Sequence, residues 1–506
     1  MKTVGIIAEY NPFHNGHAYQ FAKARQEAGA DFLVIAMSGG FVQRGEPAVF
    51  DKYTRTAMAL SAGADVVLEI PSVFACASAE DFAACGVALL SGIGVVDGLC
   101  FGCETADPSL LAEAAAVLAQ EPEAFQAALR ERLKSGMSYP AARAEALALA
   151  LTPKAADAAE PPVLQTAAPG QAAMPEQTAA PGQTAAPGQT AATSAFKKQS
   201  EADWDSLLST PNNILAVEYL KAILRQGSSL EPIPIRREGQ GYHEDQLPED
   251  RRFASASALR QAIRGAVQGS VQDSVQGSSQ DSIQKSTQDS IQGSSRGSSL
   301  GSAGRGAEVG LLDRLAGQIP PEALSVLIKE GALSAPLFAD DLSSLLQARL
   351  LAALHGKEDL CRFEGFSPEL AARLTRLALQ PETFSGRIAQ LKTRQYTYTR
   401  ISRALLHLVL GITGEQTALA RQEGYAPYAR ILGFRKSAAP LLSAMKRRSS
   451  LPLVTKTAGA DRVLSPFAWE LLQQDFYAAH LYQSLVFQKG RVMKNEFTRS
   501  VIRFDG

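Results

Sequence analysis

Four short apolar runs in the first hundred residues constrain the fold more than any other feature: TVGIIAEY (Thr3 to Tyr10), DFLVIAMSG (Asp31 to Gly39), ADVVLEI (Ala64 to Ile70) and VVDGLCFG (Val95 to Gly102). Each is too short for a typical helix, is rich in Val, Ile and Leu, and ends in turn-forming or polar residues. Between them lie GHAYQFAKARQEAG and DKYTRTAMALSAG, with Ala, Arg and Lys at helical spacing and a closing glycine. Strands separated by helices become parallel neighbours joined by crossovers. The pattern predicts an α/β fold with a Rossmann-like parallel sheet, whose ligands bind beyond the C-terminal ends of the strands. The stretch Glu9 to His17 leaves the first strand at that edge.

The pattern breaks twice. At about 152–200, AAPGQ recurs from Ala167, Ala179 and Ala185; at about 266–306, VQGS and VQDS repeat among Ser, Gln and Gly. Neither tract has enough large apolar residues to offset its ordering entropy, so both are expected to be flexible. Between them TPNNILAVEYLKAIL predicts a helix after Pro211, EPIPIRR a strand, and FASASALRQAIR a turn into a helix. The expected organisation is a catalytic α/β domain at 1–264 carrying the first tract, a low-complexity segment at 265–306, and a mainly α-helical region at 307–506.

The formal charge of −1 hides a polarity along the chain: residues 1–150 carry 10 Lys/Arg against 17 Asp/Glu, and residues 387–448 carry 12 against 2. Five cysteines without framework spacing, no leader pattern and no long apolar run predict a reduced, cytoplasmic protein that does not span a membrane.

In FHNGH, two of the six histidines, His14 and His17, stand three apart at a strand-to-helix turn with Gly16 between them. Helix-start N–H groups and the positive dipole end favour an anion there, and Gly16 lacks the Cβ that would hold a phosphate away. Helix capping is the plain alternative. Zinc lacks a third ligand at the right spacing.

HNGH after a first strand resembles the H-x-G-H signature of the nucleotidylyltransferase superfamily. Together with MSGGFVQRGEPAVFDKYTR, GADVVLEIP, CFGCE, PNNILAVEYLKA, GYH, FASASALR and LKTRQYTYTRISRALLH, the chain resembles the bacterial tRNA(Met) cytidine acetate ligases. The resemblance implies an enzyme that condenses acetate with ATP, the latter with Mg2+, into acetyl-adenylate. It would then pass the acetyl group to N4 of the wobble cytidine of elongator tRNA(Met). Two other readings stand beside it: adenylation of a small phosphate ester, and tRNA binding without catalysis. The basic C-terminal half argues against the first, and intact His14, Gly16 and His17 against the second.

The resemblance implies catalytic roles for His14 and His17 and ATP contacts along Gly5, Ile6, Ile7, Ala8, Glu9, Tyr10, Asn11, Pro12, Phe13, His14, Asn15, Gly16, His17, Ala18, Tyr19 and Gln20. It adds Gly102, Asn213 before Asn212, Arg237 before Arg236, and Ser257, with Ser255 and Arg260 beside it; a ligand role for His243 competes with a structural one. Gln20 stands where the family commonly has histidine, and Gly40 where it has asparagine. Independently, Gly39, Gln43 and Arg44 follow strand two at the same sheet edge, suited to acetate or phosphate. Lys52 and Arg55 open the next helix, as ligand contacts or as a solvated basic face. Cys100 and Cys103 read as buried thiols rather than a metal site. Lys392, Arg394, Arg400 and Arg403, interleaved with Tyr396 and Tyr398, form the expected tRNA surface. Lys446, Arg447 and Arg448 would extend it.

Overall fold

The computed structural model describes residues 1–105, 108–151, 207–208, 210–237, 253–267, 311–312 and 315–505. The low-complexity tracts, apart from residues 266–267 at the end of a helix, and His243 lie outside the described residues.

The expected strands are present as β1 (Thr3–Ala8), β2 (Phe32–Ser38), β5 (Val66–Ile70), β6 (Gly98–Cys103) and β7 (Glu231–Arg236), with a small ribbon of β3 (Phe41–Val42) and β4 (Glu46–Pro47) after β2. The five long strands are parallel, in the order β7-β6-β1-β2-β5. Both faces of the sheet are covered, which is why its strands read as nearly unbroken apolar runs. Val4, Ile6, Leu33 and Ile35 face α1 (Asn15–Glu27) and α2 (Lys52–Ser61) through Phe21, Met58 and Leu60. Ile7, Val34, Ala36 and Leu68, on the alternate face, pack against Phe82, Leu89 and Leu90 of the helix Ala79–Gly92.

From β1 the chain builds the sheet one way, to β2 and β5, and then returns to build the other way, through β6 and β7. The strand order therefore reverses between β1 and β6, and a crevice opens at such a reversal beyond the C-terminal strand ends.

Residues from 315 onward are mostly helical, yet they also extend the sheet. β8 (Ala429–Arg435) pairs antiparallel with β5, and both β9 (Leu453–Val454) and β10 (Ile502–Phe504) pair parallel with β8. One basic residue of this part of the chain, Arg430, and one of the first half, Lys52, serve the seam. Arg430 contacts Glu69 at 2.9 Å and Glu496 at 2.6 Å, and Lys52 contacts the same two carboxylates at 2.7 Å each. All four side chains are buried, so two positive and two negative charges satisfy one another away from water. Lys52 is thus neither a ligand contact nor a solvated face. No helix among the described residues is long and apolar enough to cross a membrane.

Candidate active site

A cleft of about 510 Å³ occupies the expected position above β1, β6 and β7. Its walls come from Ile7 to Asn11, the start of α1, the turn carrying Gln43 and Arg44, Gly102, Asn212, Arg236, Arg237 and the segment Phe253 to Arg260. The volume suits a nucleotide-sized ligand.

His14 is the N-cap of α1: its Nδ1 accepts the Gly16 N–H at 3.0 Å, while the His17 Nδ1 accepts the His14 N–H at 3.2 Å. A ring nitrogen that accepts carries no proton, so the proton of each neutral ring lies on Nε2. Burial, then Arg237 and Arg260, push His14 down to about 3. Burial, then His14 and Arg237, hold His17 well below its usual value. Capping and phosphate binding had competed as explanations; the geometry makes them compatible, since capping uses Nδ1 and leaves two neutral Nε2–H donors. A Cβ on Gly16 would lie 2.9 Å from the His14 ring, so the glycine makes room first for the capping imidazole.

The expected ATP stretch divides. Ile7, Ala8, Glu9, Tyr10, Asn11, His14, Gly16, His17, Tyr19 and Gln20 line the cleft; Gly5, Ile6, Pro12, Phe13, Asn15 and Ala18 do not. A Cβ on Gly5 would meet Leu90 at 2.7 Å, while Ile6 and Phe13 are core residues. Asn15 instead donates its side-chain amide to the Gly317 carbonyl at 3.1 Å. Gln20 donates to the Cys100 carbonyl at 3.3 Å, and burial raises the Cys100 and Cys103 thiols to about 12 and about 11.

Asn212, rather than the preferred Asn213, reaches the cleft, where its Oδ1 accepts from Arg237 at 3.2 Å. Asn213 is buried and structural, its Oδ1 taking the Glu104 N–H at 2.8 Å and the Thr105 N–H at 3.3 Å. Both Arg236 and Arg237 line the cleft, and the Arg237 side chain lies over Gly102. Ser257 accepts from Arg260 at 3.0 Å, and Arg260 also donates to the Asn11 carbonyl at 2.9 Å. Ser255 caps the helix 256–267 by accepting the Ala258 N–H at 3.0 Å.

Of the turn after β2, Gln43 and Arg44 line the cleft and Gly39 does not: a Cβ there would lie 2.7 Å from a Glu69 carboxylate oxygen. A Cβ on Gly40 would lie 3.1 Å from Tyr482 of the helix Pro466–Gln488, so a larger side chain would press on that residue. Arg55, read as a ligand or a solvated cation, is fully buried. It donates to the carbonyls of Phe50 at 2.9 Å, Glu9 at 2.5 Å and Ser38 at 3.1 Å, and also to that of Gly39, pinning the loops that follow β1 and β2.

The basic residues separate into three groups. The helix Tyr398–Leu410 docks on the β3–β4 turn, bringing Arg403 to 3.5 Å from the Gln43 carbonyl and placing Arg403 and Thr399 in the cleft wall. Lys392, Arg394, Arg400 and Tyr398 are exposed beside it, whereas Tyr396 is buried beneath Arg400, with its hydroxyl 2.5 Å from that of Ser367. Lys446, Arg447 and Arg448 end a helix (Ala439–Arg448) whose last residue packs on Gly94, with Ser449 just beyond it donating to the Gly92 carbonyl, before β6 and at the opposite edge of the sheet. They do not continue the cleft-side surface. Arg387, Arg421, Arg430 and Arg435 are engaged by internal partners.

Sequence reasoning missed Phe82, Phe101, Leu215, Tyr219 and Phe253, which form apolar walls of the cleft, and Thr399 at its rim. Leu215 and Tyr219 share the helix Pro211–Gln226 and the others come from different segments, each with the periodicity of an ordinary core residue, so no local signal marked them.

The HIGH Nucleotidyl Transferase family model matches residues 1–497. The tRNA(Met) cytidine acetate ligase of Acetivibrio thermocellus is 32% identical over 509 residues, covering 99% of this chain and all of that protein. That of Clostridium kluyveri is 30% identical, over 96% of this chain and 95% of its own. The crystal structure of Thermotoga maritima TmcAL without ligand matches with a TM-score of 0.76 and 26% identity, and that with alpha-thio ATP bound with 0.74 and 26%; both comparisons cover the whole of each chain.

Proposed function

The chain belongs to the HIGH nucleotidyl transferase family and, within it, to the tRNA(Met) cytidine acetate ligases, and from that membership we propose that it joins acetate to ATP and acetylates N4 of the wobble cytidine of elongator tRNA(Met) in the cytoplasm. In the first half-reaction the acetate oxygen attacks the α-phosphorus and pyrophosphate leaves. The start of α1, the Nε2–H groups of His14 and His17, and Arg260 with Ser257 offer donors to the charge that develops. Arg44 beside the cleft suits the carboxylate of acetate. Mg2+ would travel with the triphosphate, held by its oxygens and water.

One observation carries the reading: the basic segment borders the nucleotide cleft itself, with Thr399 and Arg403 in its wall, and Lys392, Arg394 and Arg400 are exposed along the same segment. An enzyme for a small acceptor has no use for a cationic strip at the mouth of its site; a polyanionic one does. The test is incubation with ATP, labelled acetate and unmodified bacterial tRNA, followed by nucleoside analysis. Label in N4-acetylcytidine of tRNA(Met) is expected. ATP turnover with no label in tRNA would sink the proposal in favour of a small-molecule acceptor.

A further inference from the structure

Glu9 is the one carboxylate among the described residues that line the cleft, where it stands against Arg44, Arg236, Arg237, Arg260 and Arg403. ATP and acetate are both anions, so a carboxylate here weakens the binding of each. It suits a partner that brings a donor, and an exocyclic amine is such a donor. We propose that Glu9 takes the proton from N4 of the tRNA cytidine as that nitrogen attacks the acetyl carbonyl. The role rests on the reaction proposed above.

The placement fits. One carboxylate oxygen, Oε1, accepts the Gln43 N–H at 2.9 Å, and the main-chain oxygen of Glu9 accepts from Arg55 at 2.5 Å, so the residue is held on both sides while Oε2 is left for a ligand. The carbonyl of the same Gln43 faces Arg403 at 3.5 Å. A single residue therefore separates the carboxylate from the basic segment through which a nucleic acid would approach. Arg44 and Arg260, which line the cleft with Glu9, both reach the Ser257 hydroxyl, at 3.5 and 3.0 Å, on the side given to the phosphates above, where the acetyl carbon of the adenylate would lie.

The chemistry needs such a group. The N4 lone pair of cytosine is delocalised into its ring and attacks poorly unless a proton is removed as the bond forms. N4 bonds to the acetyl carbon, and the bond from that carbon to the AMP phosphate oxygen breaks, its electron pair leaving with AMP. The N4 proton passes to Glu9 Oε2 and then to water. Burial holds the Glu9 carboxyl above its usual range despite Arg44, closer to working pH, which strengthens it as a proton acceptor.

Glu9→Gln tests this with little structural disturbance, because the amide oxygen can still accept the Gln43 N–H. Two assays separate the half-reactions: acetate-dependent exchange of labelled pyrophosphate into ATP, and transfer from synthetic acetyl-adenylate to unmodified tRNA(Met). Transfer should fall at least about 100-fold further than exchange, and the variant should lose the acid limb of the wild-type transfer profile. Undiminished transfer overturns the role. So does an equal fall in both assays, or recovery on raising Mg2+, either of which would make Glu9 a nucleotide or metal contact. A wild-type protein silent in both assays would instead overturn the reaction itself, and this role with it.

Discussion

Gly45 and Arg403 meet main chain to main chain: a Cβ on Gly45 would lie 2.4 Å from the Arg403 nitrogen, and Gly45 holds φ at +82°. The Ser402 hydroxyl seals the junction by donating to the Gly45 carbonyl at 2.9 Å. Gly45→Ala combines left-handed strain with a clash, so it should cost about 1–3 kcal/mol of stability. Because this close approach seats the basic helix, acetyl transfer to tRNA should suffer more than pyrophosphate exchange. Denaturant unfolding and the paired assays check both.

His14→Asn should separate the two uses of the imidazole. Asparagine is a good N-cap, so thermal stability should stay close to wild type, while removal of the Nε2–H donor should slow pyrophosphate exchange by about 100-fold. With the folded His14 held at about 3, its neutral form persists as pH falls from 8 to 5. The wild-type exchange rate should accordingly show no histidine titration near 6.5.

The neighbouring asparagines should part company. Asn212→Ala removes a polar group from the cleft wall and should raise the KM for ATP with little change in melting temperature. Asn213→Ala strands the N–H groups of Glu104 and Thr105, at a cost of about 1–3 kcal/mol. Steady-state kinetics beside unfolding curves distinguish the two; a reversed pattern would contradict the assignment.

Neutralising Lys392, Arg394 and Arg400 should weaken tRNA binding and flatten its salt dependence, by about 0.7 in the log–log slope for each phosphate the protein no longer neutralises. The same treatment of Lys446, Arg447 and Arg448, at the far edge of the sheet, should have the smaller effect on transfer. Filter binding across a salt series gives the slopes, and the transfer assay compares the two sets.

Much of the catalytic half was legible because its signals are local. Strand runs, closing glycines and HNGH each report on neighbours within a few residues, and a parallel sheet follows from their alternation. What escaped depends on residues far apart in the chain. Arg430 reads as surface charge until Glu69 and Glu496 are brought beside it, and ARILGFR reads as part of a basic helical stretch until β5 supplies an edge to pair with. Arg55 looked like a ligand contact because nothing nearby shows that four carbonyls surround it. Asn213 was preferred over Asn212 because both lie at a helix start, where sequence cannot tell which side chain Glu104 and Thr105 will claim.

His407 links the helix Tyr398–Leu410 to the catalytic half, its ring nitrogens 3.0 Å from the Glu364 and Cys76 carbonyls. Burial outweighs those carbonyls and lowers it to about 4 from 6.5. Since the folded pKa is depressed, its contribution is complete above pH 6.5 and is lost as pH falls toward 4, by up to about 3 kcal/mol. Urea unfolding of His407→Gln should show a flatter decline across that window than the wild type.

The antiparallel junction of β8 with β5 bears on the order in which the molecule is made. Emerging from the ribosome, the first half reaches β5 with one rim still unpaired, a template for wrong partners. Its proper neighbour is synthesised more than 350 residues later. The catalytic sheet can thus be completed only when nearly the whole polypeptide exists, and a chain cut short before Ala429 would carry every residue of the H-x-G-H turn on a scaffold prone to aggregate.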